Sequence, residues 1–153
     1  MNLIEIQTIF KSNGQPDQKQ IQLWVDTALE DLNEDTEIVV RIVDEQESTY
    51  LNEQYRQKSG PTNILSFPVD VPEGLELSLL GDLVICAPVL EKEALAQNKA
   101  LIDHWAHIII HGALHLVGYD HIEDDEAETM ENKEITILSK LNIKNPYIQE
   151  NEK

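Results

Sequence analysis

The chain is short of positive charge: 11 Lys and Arg stand against 29 Asp and Glu, a formal net charge of −18 over 153 residues. So acidic a chain is not expected to hold nucleic acid through a general basic surface, because neutralising phosphates takes clustered Lys and Arg. At long range it repels polyanions. Chemistry on a nucleic acid would therefore need a local site or delivery by a partner, and no DNA partner is expected. Cysteine is almost missing. Cys86 stands alone, which excludes an intramolecular disulfide, and its place in the apolar run DLVICA reads as a buried strand residue in a reducing cytosol. No apolar run approaches the roughly 20 residues that span a bilayer. The opening MNLIEIQTIFKSNG lacks the basic region and long apolar core of a signal peptide. A cytoplasmic chain with no membrane partner is the expectation. There is no internal repeat and no low-complexity linker, so residues 1–153 are expected to form a single domain, long enough to bury a core.

What is present alternates between strand and helix patterns. LIEIQTI (3–9) has period two and EIVVRIV (37–43) is β-branched, so both are predicted strands. Pro16 and Asp17 can open a helix in which Ile21, Val25, Ala28, Leu29 and Leu32 share a face, ending near Asn33. Asp44 with Glu47 supplies a cap for a short helix through Leu51 and Tyr55. NILSF (63–67) and GDLVICA (81–87) are further strand candidates, and Pro88 suits the first turn of the helix that follows. Residues 103–118 read as a helix apolar almost all round, hence buried and central, and residues 123–141 as a last amphipathic one. The acidic run EDDEAE (123–128) complements the dipole of that helix and has no calcium-loop spacing. The pattern is a single α+β domain with three or four strands and about five helices.

Three of the five histidines fall in HGALHLVGYDH (111–121). Successive helical residues advance by about 100°, so His111 and His115 project only about 40° apart on adjacent turns, close enough to share one ion. A third ligand must leave the helix and return. Gly118 supplies the break and His121 the return. Three imidazoles with open positions make a catalytic metal site, with one zinc ion as first choice. His104 and His107 start a turn or more earlier and are expected to support or pack rather than ligate. The spacing is that of metzincin peptidases, whose general base is a Glu beside the first His. Here that neighbour is Gly112, which weakens peptide hydrolysis as the activity. Asp82, Asp120 and Glu123 are carboxylates that could substitute.

The stretch LNEQYRQKSGPTNILSFP (51–68) carries Arg56 and Lys58. A guanidinium near a metal suits a phosphodiester, which it can grip bidentately, although Arg56 could equally be a surface residue ending a helix. YRQKSGPTNILSFP, LGDLVICAPV and HWAHIIIHGALHLVGYDHIEDDEAETM together, in this order, resemble the YbeY family of bacterial ribosomal RNA maturation factors. The resemblance spans approximately residues 36–148. It implies a small mixed β-sheet packed against helices with a metal cleft, and a zinc-dependent endoribonuclease specific for single-stranded RNA. That activity would serve maturation of the three-prime end of small-subunit ribosomal RNA and ribosome quality control, with the small subunit and its assembly factors as partners. Carried onto this chain, His111, His115 and His121 would be the metal ligands and Arg56 the catalytic arginine. A metzincin-like hydrolase of another substrate and a non-catalytic assembly factor with a structural metal are the competing readings.

Overall fold

The computed structural model describes residues 2–32, 35–69, 79–119 and 123–147. Four strands, β1 (Asn2–Thr8), β2 (Thr36–Val43), β3 (Ile64–Pro68) and β4 (Leu79–Cys86), form one mixed sheet in the order β1-β2-β4-β3. β1, β2 and β4 run parallel, and β3 pairs antiparallel to β4 as an edge strand. The described residues also form five helices: α1 (Gln18–Ala28), α2 (Glu45–Arg56), α3 (Ala87–Ala96), α4 (Leu101–Leu116) and α5 (Asp124–Lys140). The α+β architecture and the element count agree with the sequence reading. No helix among the described residues is long and apolar enough to cross a membrane.

Strand alternation divides the core. Ile38, Val40 and Ile42 of β2 and Leu83 and Ile85 of β4 are buried on one face, in a single cluster with α1 and α4. Val43, Leu65, Val84 and Cys86 cluster on the other face with Leu51 of α2 and Val89. Cys86 is a buried free thiol, and burial raises its pKa, as befits an inert strand residue. Ten of the sixteen residues of α4 are buried, Trp105, Ile109 and Ile110 completely, so this helix is the fixed base on which its histidines stand. Each such side chain contributes about 1.5–3 kcal/mol relative to exposure.

Capping sets the helix starts. Asp17 accepts from the Gln20 N–H at 2.8 Å while the Gln20 side chain accepts from the Asp17 N–H at 2.9 Å, and Asp44 accepts from the Glu47 N–H at 2.9 Å. α1 ends at Ala28, earlier than predicted. Asn33 itself lies outside the described residues. The apolar spacing had carried the expectation on, but Leu29 and Leu32 pack into the core from the segment beyond the helix.

Candidate functional site

α4 ends where its sequence says it must. Gly118 takes a φ of +106°, its N–H reaches the His115 carbonyl at 3.1 Å, and the Tyr119 N–H reaches the Leu114 carbonyl at 3.0 Å. This pair of bonds closes the last turn with glycine in the conformation that L side chains resist. His115 stands on that last turn and His111 one turn before it. Their Nε2 atoms lie 3.1 Å apart. Two nitrogens each about 2.0–2.1 Å from one ion at a tetrahedral angle would be roughly 3.3 Å apart, so the pair suits a shared cation. His121, the expected third ligand, lies outside the described residues, as does Asp120. Among the described residues no set of three metal-ligating side chains converges.

Behind His111 stands a residue that the sequence reading missed. Glu134, on α5, is completely buried. It accepts from His111 Nδ1–H at 2.6 Å, from His107 Nε2–H at 2.9 Å and from the Tyr147 hydroxyl at 2.5 Å. Burial alone would raise its pKa, but the bonds from His107, His111 and Tyr147 prevail and pull it down to about 2. The acceptor is therefore a carboxylate. Burial also lowers the pKa of His107, against the pull of Glu134, so that ring is neutral and donates through Nε2. Burial and Glu134 push the Tyr147 hydroxyl well above its ordinary value, which keeps it a donor. In a neutral imidazole whose Nδ1–H is committed to a carboxylate, Nε2 is the unprotonated nitrogen, and in His111 Nε2 is the atom beside His115. That is the tautomer a metal ligand needs, held by a carboxylate behind it. His107 thus supports this carboxylate, and His104 bonds Glu93 through Nε2 at 2.8 Å instead.

Arg56 reaches the same place from another element. It is the last residue of α2, and Gln57 follows it in the left-handed conformation (φ 57°). From α2, the buried Ser48 donates to the Thr62 carbonyl and accepts from the Thr62 N–H, both at 3.0 Å. Asn52 donates to the Gly60 carbonyl at 2.9 Å. These bonds clamp the loop from α2 to β3 against the helix that carries Arg56. The result is a cleft of about 590 Å³ lined by Arg56, His111 and His115, with Thr62, Asn63 and Ser66 along one wall and Tyr119 at its edge. None of its described lining residues is acidic. Within a chain of charge −18, the described lining of this cleft therefore carries a guanidinium and no carboxylate.

The position where zinc peptidases carry glutamate is filled by packing. A Cβ on Gly112 would lie 2.6 Å from Ile64 Cδ1 and 2.9 Å from Leu83 Cδ2. Glycine lets α4 lie close on the sheet. Of the substitute carboxylates, Asp82 alternates with Leu83 and so lies on the opposite face of the sheet from α4, and exposed Glu123 caps α5, outside the cleft lining. Asp124, Asp125 and Glu126 are exposed in the first turn of α5, as the dipole reading required.

The family model for endoribonuclease YbeY matches residues 5–142. The chain belongs to the YbeY family. The match begins well before residue 36, where the resemblance had become legible by motif. The endoribonuclease YbeY of Colwellia psychrerythraea is 54% identical over 153 residues, covering 97% of this chain and 99% of that one. The solution structure of TM1509 from Thermotoga maritima superposes with a TM-score of 0.60 at 23% identity, covering 100% of this chain and 99% of the other, a likeness of fold. The matched segment contains both helices that line the cleft, α2 with Arg56 and α4 with His111 and His115.

Proposed function

We propose that this YbeY-family chain is a zinc-dependent endoribonuclease that cuts single-stranded RNA in the cleft between Arg56 and His111. Its physiological substrate would be the three-prime end of small-subunit ribosomal RNA, reached in the cytoplasm on the small subunit with its assembly factors, and its cleavage would also serve ribosome quality control. The observation that carries the reading is the meeting of Arg56 with His111 and His115 around one cleft without acidic lining among the described residues. His111, His115 and His121 would hold the ion. The donor set fits: the two Nε2 atoms lie 3.1 Å apart, and Glu134 holds the ring of His111 from behind.

When bound, zinc supplies a water of lowered pKa and a Lewis acid for a phosphoryl oxygen. The protein does the rest with its own groups. Arg56 grips the non-bridging oxygens of the scissile phosphate and offsets the charge that develops there. Glu134 holds the His111 ring and its tautomer. The bonds of Ser48 and Asn52 hold the loop that brings Thr62 and Asn63 to the cleft against the helix that carries Arg56.

The test is cleavage of a single-stranded RNA oligonucleotide by the purified chain, after chelation and after readdition of zinc. Loss and recovery of cleavage, with a casein-like protein left intact, is the expected result. Proteolysis would point to the metzincin-like reading. Unfolding on chelation with no cleavage at any stage would point to a non-catalytic assembly factor.

A further inference from the structure

The cleft wall contains an amide whose orientation is set from behind. Asn63 lines the cleft just before β3, and its main-chain carbonyl accepts from the Cys86 N–H at 2.9 Å, which fixes its backbone. Its Nδ2 donates to both oxygens of Glu93, at 3.2 and 3.3 Å. Glu93 is in turn held by Nε2–H of the buried His104 at 2.8 Å. Burial would raise the pKa of Glu93, but the bonds from His104 and Asn63 prevail and lower it, so the group is an acceptor only. A carboxylate cannot bond an amide oxygen. The Asn63 amide is therefore turned with its nitrogen to Glu93, and its Oδ1 is the group left for a ligand.

We propose that Asn63 is a specificity-determining residue that reads the nucleotide beside the scissile phosphate, its Oδ1 accepting from a neutral donor on the ribose or base. This rests on the endoribonuclease reading. A phosphate has no hydrogen to give, so the acceptor cannot duplicate Arg56. The donors that single-stranded RNA offers are its 2′-hydroxyls and its base N–H groups. Glu93 and His104 are positioning residues in this scheme, since they act only through the amide.

The experiment is a substitution scan of one RNA oligonucleotide against wild type and Asn63→Ala, read as kcat/KM and KM. One arm replaces each ribose by 2′-deoxyribose, and the other replaces each base near the cut by an analogue lacking its N–H donors. One position is expected to cost wild type about three- to tenfold, the worth of a neutral hydrogen bond, and to cost Asn63→Ala nothing. The arm in which that position falls tells hydroxyl from base. Glu93→Gln, whose amide no longer dictates the Asn63 orientation, should lose part of the discrimination while still showing a folded, cooperative melting profile at the assay temperature. If Asn63→Ala, folded by that same profile, keeps every wild-type penalty, the proposal is wrong. If wild type cleaves no RNA at all, the endoribonuclease reading fails instead, and the two failures are distinguishable.

Discussion

Replacing Glu134 by glutamine tests the support behind His111. The side chain is completely buried and takes three donors, His111 Nδ1–H, His107 Nε2–H and the Tyr147 hydroxyl. Glutamine keeps the shape but turns an NH₂ towards one set of donors and removes the charge. Losing hydrogen bonds to a charged group costs about 1.5–3 kcal/mol. For a domain of this size that is a fall of roughly 3–12 °C in melting temperature without metal. His111 also loses what holds its ring and tautomer, which in comparable sites lowers metal affinity about 10–100-fold, or roughly 1.4–2.7 kcal/mol. The assay is competition for zinc against a coloured chelator of known affinity, with circular dichroism to show that the variant is folded. Tyr147→Phe is the control: it removes one donor and leaves the His111–Glu134 bond, so its affinity should change less. A folded Glu134→Gln that binds zinc within twofold of wild type would refute the argument that this carboxylate prepares His111.

Other outcomes follow from packing and titration. Gly112→Ala places a methyl 2.6 Å from Ile64 Cδ1 and 2.9 Å from Leu83 Cδ2, an overpacking cost of about 1–3 kcal/mol that the better helix propensity of alanine offsets by about 1. Its melting temperature should fall by a few degrees, and Gly112→Glu should fail to fold rather than gain peptidase activity. Glu93 has a folded pKa below its ordinary 4.5, so folding favours its ionised form. That contribution is present above about pH 4.5 and is lost as the pH falls through the folded value. In urea unfolding, the advantage of wild type over Glu93→Gln should be constant from neutrality down to about pH 5 and narrow below it.

The elements were legible because their signals are local. β-branched alternation marked β2, Asp44 with Glu47 marked the start of α2, and Gly118 marked the end of α4. The end of α1 was not, because Leu29 and Leu32 keep the apolar spacing after the backbone has left the helix. Glu134 was one of 29 acidic residues and carries no motif. Its signal was positional: it interrupts the apolar stripe of Met130, Ile137 and Leu138, where a buried carboxylate needs partners. The anchoring of Asn63 by Glu93 and His104 joins three elements, and nothing local announces it. The strand order, with β3 antiparallel at the edge beside α4, likewise depends on the packed whole.

The central claim is that Arg56 and His111 serve one cleft in different capacities, and a single assay separates them. Zinc content and single-stranded RNA cleavage are measured side by side for wild type, His111→Ala and Arg56→Ala, each purified free of contaminating nucleases. Wild type should hold one zinc per chain and cleave. His111→Ala should lose both, and Arg56→Ala should keep its zinc and lose most of its cleavage. Cleavage by either variant at the wild-type rate would contradict the account.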